Sequence, residues 1–204
     1  MPSFDYPRFQ SLPSRVQQLL HERVQKSGDF SQLRTLHLGD DLATYGQQTR
    51  TYLLPQPPEV VWHAYTQAHP AEIWQGPMVN FLFAYSPKHA DFFYQTDENM
   101  PRFYPGLQLY NWLNIMGPRL IVGIQVMDLD QAQKKLEIAY VEGGLYRGTQ
   151  ILSFRPNGPG TKIEHRSYFR SASRLMDASL YPFFHQMTIG EHHRRMKAHL
   201  NQKS

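Results

Sequence analysis

Three polar side chains, Tyr140, Gln150 and His165, fall on the apolar parity of successive strand-like segments. In KLEIAYVE (135–142) one parity holds Leu136, Ile138 and Tyr140. In RGTQILSF (147–154) Gln150 shares its parity with Leu152 and Phe154, although Ile151 on the other parity contests that face. In KIEHRSYF (162–169) His165 lies between Ile163 and Phe169. Buried polar groups are hydrogen-bonded, so these three either satisfy one another or meet a ligand. An inward imidazole serves as a general base, or as a donor to a carbonyl, at neutral pH. His165 with Tyr140 is therefore the candidate acid/base pair. The competing reading is a core histidine bonded to Tyr140 or to a backbone group.

Other residues suit a ligand better than a reaction. Arg147 follows a Gly-rich turn and could pair with an anionic group, or form an ordinary surface ion pair. Phe81, Phe83, Tyr85, Trp112, Phe183, Phe184 and Met187 could line an apolar pocket, or simply fill the core. From Tyr85, Trp112, Phe184 and Met187, with Tyr140, Arg147, Gln150 and His165, we assemble the candidate binding set. A metal site is not expected. His185 and His192 share a helix face at a spacing of seven, but neither a HExxH pattern nor any cysteine accompanies them. Gly158-Pro159-Gly160 lacks the lysine and helix context of a phosphate loop. No cofactor is implied.

The elements that must carry these residues follow from the pattern. Leu12 to Lys26 reads as an amphipathic helix, with Val16, Leu19, Leu20 and Val24 at helical spacing and Gly28 placed to end it. Ser31 to Leu38 reads as a short helix or turn, broken by Gly39-Asp40-Asp41. Residues 1–44 are read as a helical N-terminal extension packed on a main domain spanning 45–204. That domain opens with a strand at Thr49–Leu54, a helix in PEVVWHAYTQA and one more turn in AEIW. Strand candidates follow at 78–85, 91–96, 107–115, 119–128, 135–142, 147–154 and 162–169, with Asn157-Gly158 marking a hairpin. A long helix, Asp177 to Leu200, closes the chain. Its first half is apolar and reads as a pocket lid around Phe183 to Met187; its second half is basic and rich in histidine. Strand, helices, antiparallel meander and terminal helix make an α+β domain: a curved antiparallel sheet wrapped around a long C-terminal helix, a helix-grip arrangement. Curved sheets of this kind leave a cavity under the helix unless large side chains fill it.

Composition bounds the function. The 204 residues are 41% hydrophobic and 13% aromatic, which suits a globular protein with a bulky interior. No apolar run approaches the length of about 20 residues that spans a membrane, so integral membrane association is not expected. Zero cysteines exclude a disulfide framework and a thiolate nucleophile. The N-terminus lacks the pattern of a secretory signal, which makes the cytoplasm the expected location. From Lys162 onward eight Lys/Arg face three acids, so the chain's net charge of +4 belongs to its end. Arg194, Arg195 and Lys197, with His192, could contact an anionic surface weakly, or could be a solvated face near a helix C-terminus. No nucleic-acid-binding motif accompanies the charge, and no nucleic acid is expected as partner.

The opening TRTYLLPQPPEVVWHAYTQ, a Pro-flanked strand running into a helix, resembles the start of a START-like domain (the polyketide-cyclase and pollen-allergen-like, or SRPBCC, superfamily). The run IAYVEGGLYRGTQILSF is similar to a bacterial START-like family of unknown function at Ala139-Tyr140, Gly143-Gly144 and Arg147-Gly148. The turn is shorter here, and residues 86–105 depart from that pattern. The resemblance spans roughly residues 47–200 and implies a ligand cavity under the terminal helix. Some relatives of that superfamily are cyclases or hydratases and others carriers. The expectation is a protein that binds a hydrophobic small molecule or lipid between sheet and helix. The alternatives are a cyclase- or hydratase-type enzyme using His165 and Tyr140, and an interaction module docking through the basic helix.

Overall fold

Period-2 alternation through the second half of the chain becomes one long antiparallel sheet in the computed structural model, which describes residues 3–35, 41–115, 117, 119–171 and 173–202. Helix α1 (Ser14–Ser27) comes first, followed by β1 (Gly46–Leu54), α2 (Pro58–Gln67) and the single turn α3 (Pro70–Ile73). Next come β2 (Val79–Ser86), β3 (Asp91–Tyr94), β4 (Gln108–Asn114) and β5 (Arg119–Asp130). β6 (Lys135–Tyr140), β7 (Tyr146–Asn157), β8 (Gly160–Ser171) and α4 (Tyr181–Gln202) complete the chain. The eight strands lie in the order β1-β8-β7-β6-β5-β4-β2-β3 as a curved, unclosed sheet with α4 across its concave face. α+β and helix-grip are therefore the observed class and architecture.

The elements form where local chemistry directs. Pro58 occupies the first turn of α2, where its missing N–H costs nothing. Gly28 ends α1 at φ +49°, a conformation that disfavours any residue with a Cβ. Asn157 pairs with Gly160, so the hairpin marked by Asn157-Gly158 turns through Gly158-Pro159, one residue later than an Asn-Gly turn would. Of the segment read as a helix or turn over Ser31–Leu38, Phe30–Gln32 form one 3₁₀ turn; Leu36, His37, Leu38, Gly39 and Asp40 lie outside the described residues. A single turn of π-helix, Met176–Leu180, leads into α4.

One glycine lets β7 and β8 approach closely where they pair. Gly148 sits at φ +142°, and a Cβ there would stand 1.9 Å from the Tyr168 carbonyl oxygen. Backbone cannot yield as a flexible side chain can, so Gly148→Ala is expected to cost on the order of 4 kcal/mol, readable by urea unfolding.

Two bulges decide which side chains meet which face. Between Phe81 and Phe83 the β2–β4 register shifts, making Leu82 the extra residue. Phe81 and Ala84 consequently join the core under α4, while Leu82, Phe83 and Tyr85 point to the convex face. A second shift between Val126 and Asp128 keeps both Val126 and Leu129 on the concave side. The N-terminal segment covers the convex face. Phe9, Leu20 and Phe30 are buried there against Phe83, Tyr85 and Tyr110, and Arg8 binds Asp97 at 2.6 Å beyond the edge strand β3.

Candidate functional site

Helix α4 touches β1 and β2 on the two flanks of the sheet, and α2 and α3 as well. Beneath it, strands β4 to β7 present Asn111, Ile124, Ile138, Tyr140 and Gln150 to a cavity of about 520 Å³. Phe184, His185, Thr188 and Ile189 of α4 roof it, and Tyr181 closes one end with Tyr146 and Leu180. The volume lies within the ordinary range of small-molecule sites. β6 pairs with β5 only from Ile124 onward, apart from a Val141 N–H bond to the Gly123 carbonyl. The slot left beside Arg119–Val122 is closed from outside by α1, whose Leu19 and Arg23 line the same cavity.

Along the cavity's edge runs a continuous chain of six polar side chains. Tyr65 on α2 meets Nδ1 of His193 at 2.6 Å, and Nε2 of His193 meets Nδ1 of His165 at 3.0 Å. Nε2 of His165 meets Oε1 of Gln150 at 2.8 Å, and the Gln150 amide nitrogen donates to the Tyr140 hydroxyl at 3.0 Å. Tyr140 and Tyr181 join through their hydroxyls at 2.7 Å. The Gln150 amide sets the sense of the links from Tyr65 to Tyr140. Its carbonyl oxygen only accepts, so His165 carries its proton on Nε2 and accepts at Nδ1. His193 therefore donates from Nε2 and accepts the Tyr65 hydroxyl at Nδ1. At the other end the Tyr140 oxygen accepts from Gln150 and shares a further hydrogen bond with the Tyr181 hydroxyl, in which either phenol can donate.

Burial holds this chain neutral. It pushes His165 well below the ordinary imidazole value, helped by His185 and His192, and pushes His193 down likewise. Burial raises Tyr140 to about 12, against the opposing hydrogen bonds from Tyr181 and Gln150, and raises Tyr65 and Tyr181 well above their usual value. His185 falls to about 3 through burial and the nearby Arg50, and His192 to about 4 through burial. His192 stacks on Trp74 with ring centroids 4.0 Å apart, and its Nδ1 reaches the Ile73 carbonyl at 3.4 Å. A weak base joined through an amide to a weak acid suits hydrogen bonding better than proton transfer.

Further polar atoms are buried in the cavity wall without a hydrogen-bond partner among the described residues. They are Nε and Nη2 of Arg23, Nε1 of Trp74, Oδ1 of Asn111 and Nε2 of His185. His185 directs Nδ1 at the Gln48 side-chain carbonyl oxygen, 3.2 Å away, which leaves Nε2 as an acceptor.

Placement of the expected residues is mixed. Tyr140, Gln150 and Phe184 line the cavity. His165 does not: it borders only a void of about 20 Å³, sealed between Gln150 and His193. His165 and Tyr140 thus do not face one shared point, and Gln150 intervenes. Tyr85 lies on the convex face because of the Leu82 bulge, and Trp112 lies there too, opposite Ile121. It is Trp112's neighbour Asn111 that turns inward. Arg147 is exposed on β7 across from Arg170, and Met187 is half-buried and does not line the cavity. Phe183, read as part of the lid, is 53% exposed. His192, read with the basic surface, is buried with His193; Arg194, Arg195 and Lys197 alone of that group are exposed. Among the described residues no three His, Asp or Glu side chains gather as a metal site would require. The sequence pattern did not mark Arg23, Trp74, Asn111 or Tyr181 for the cavity, and raised His185 only as a metal ligand. Helical spacing on α1 and α4 was the available signal, since Arg23 falls a turn after Leu20 and Leu19, and His185 a turn before Ile189.

No family model and no curated protein matches the chain. Solved structures do. Norcoclaurine synthase from Thalictrum flavum, crystallised with dopamine and hydroxybenzaldehyde, superposes with a TM-score of 0.58 at 10% identity, over 84% of this chain and 98% of that one. Ginseng major latex-like protein 151 from Panax ginseng gives 0.57 at 12% identity, over 76% and 96%. TTHA0849 from Thermus thermophilus gives 0.56 at 12%, over 78% and 99%. A sheet gripping a long helix over a cavity is the START-like, pollen-allergen-like fold, and the chain has that fold. Identity this low carries the fold and nothing finer. No helix among the described residues is long and apolar enough to cross a membrane.

Proposed function

We propose that the protein binds a hydrophobic small molecule or lipid in the cavity between the sheet and α4. The observation that carries this reading is the 520 Å³ space with apolar walls, kept open although large residues surround it. Packed interiors leave few voids larger than a water molecule, so a cavity of this size is a built feature. Binding without reaction is favoured over the acid/base alternative, because Gln150 separates His165 from Tyr140 and both hold their neutral forms firmly. The proposed setting is the cytoplasm, which the absence of cysteine suits.

The neutral fluorophore N-phenyl-1-naphthylamine tests the reading. We expect saturable binding with a blue-shifted emission, weakened at least about tenfold in Thr188→Trp. Thr188 lines the cavity, so an indole there occupies its space. A folded protein that leaves the fluorophore's emission unchanged would overturn the proposal. Native mass spectrometry of protein purified from its own host should then reveal the resident compound.

A further inference from the structure

Arg23 is the least expected residue in the cavity wall. It lies on α1 between Leu20 and Lys26, where a solvated cation would be ordinary, yet it is only 9% exposed. Its Nε and Nη2 are buried without a hydrogen-bond partner among the described residues. Burying a guanidinium without satisfying its donors is costly, and desolvation accordingly pushes Arg23 below the usual arginine value. An arginine remains charged even so.

The surroundings make room for that charge. Gly143, in the turn between β6 and β7, has φ +79°, and a Cβ there would come within 2.9 Å of the Arg23 Nη1. The bare turn thus accommodates the guanidinium. Charged neighbours are few. Glu142 acts on Arg23 electrostatically, but its Oε1 already accepts the Arg34 backbone N–H at 2.9 Å. Glu22, which also lines the cavity, accepts from Gln18 at 3.0 Å. Lys26 adds a second cation from the same helix. Beyond the guanidinium the walls are apolar, including Leu19, Leu120 and Val122.

Resting on the binding function proposed above, we infer that the ligand is an amphiphilic acid, with its carboxylate on Arg23 at the α1 end and its apolar body under α4. A planar guanidinium that lines the cavity, with two donors lacking a partner among the described residues, matches the geometry of a carboxylate. Neutral ligands of equal length forfeit that pair and leave the charge buried and unsatisfied. The N-terminal segment is then part of the binding site, and the slot between β5 and the β6–β7 turn is where its head group is read.

Dodecanoate and dodecan-1-ol, titrated calorimetrically below their micellar concentrations at a pH where the acid is ionised, provide the test. We expect dodecanoate to bind at least about tenfold more tightly to the parent protein. In Arg23→Gln the ratio should collapse to within about threefold through weaker dodecanoate binding, and Arg23→Lys should retain a preference for the acid. Circular dichroism melting confirms that each variant is folded. Should Arg23→Gln not fold, the parent's ratio and the lysine variant decide. Equal affinity for acid and alcohol in the parent, or an unchanged ratio in Arg23→Gln, would overturn the inference while leaving the binding function intact. Failure of both compounds to bind would sink that function, and this inference with it.

Discussion

Gln150→Leu is expected to destabilise the protein by about 3 kcal/mol in urea unfolding. The amide joins the two halves of the buried chain, accepting from His165 and donating to Tyr140. Leucine fills much of the volume but removes both contacts. It orphans the His165 Nε2 proton and takes away the donor to the Tyr140 oxygen, and each buried loss of this kind costs about 1 to 3 kcal/mol. Pairing it with His165→Leu separates lost hydrogen bonds from lost packing. If the chain acts as a unit, the double variant costs at least about 1 kcal/mol less than the two singles summed. A Gln150→Leu protein within about 0.5 kcal/mol of its parent would mean that water already serves these groups.

Acid should unfold the protein through its histidines. His165, His185, His192 and His193 are buried and neutral in the folded state, whereas an unfolded histidine titrates near 6.5. Below that value the unfolded chain binds more protons than the folded one, so stability falls as pH falls. The loss begins just under pH 6.5 and continues toward about 4 for His192 and about 3 for His185. Each of the four contributes about 1 kcal/mol per pH unit in that window, a combined slope that exhausts an ordinary domain's stability within two or three units. Above pH 6.5 these groups add nothing further. Calorimetric unfolding in buffers of different ionisation enthalpy, carried out near pH 5, should record uptake of about four protons. Uptake of one or fewer would show that the imidazoles are charged, and hydrated, in the folded protein.

Much of the scaffold was legible because its signals are local. Alternation, Pro58, Gly28 and the Asn157-Gly158 turn each act within a few residues, and the strands appear where those signals put them. The inward parity of Tyr140, Gln150 and His165 was also readable, since β6, β7 and β8 run unbulged through those positions. The aromatics Phe81, Phe83 and Tyr85 were not. One inserted residue, Leu82, reverses the face of everything after it, and nothing in MVNFLFAY marks where the extra residue falls. On α4 the difficulty is chemical. Its buried face carries His185, Glu191, His192 and His193, so a search for apolar periodicity finds the wrong stripe. Glu191 accepts the backbone N–H groups of Met78 and Val79, a loop-binding role visible only once distant segments meet. Arg23 escaped notice for the same reason, as a charged side chain on an amphipathic helix reads as solvated.

The hydrogen-bond chain has a fixed sense only as far as the Tyr140 oxygen. Tyr65 donates to His193, His193 to His165, His165 to Gln150 and Gln150 to Tyr140. Beyond that point the Tyr140–Tyr181 link can run either way, because a phenol oxygen accepts two hydrogen bonds and Gln150 takes only one of those places. The pocket's last hydroxyl is thus a two-way contact, able to meet an acceptor or a donor without disturbing the imidazoles behind it. A Tyr65→Phe protein, which loses only the far end of the chain, should keep its parent's ligand preference.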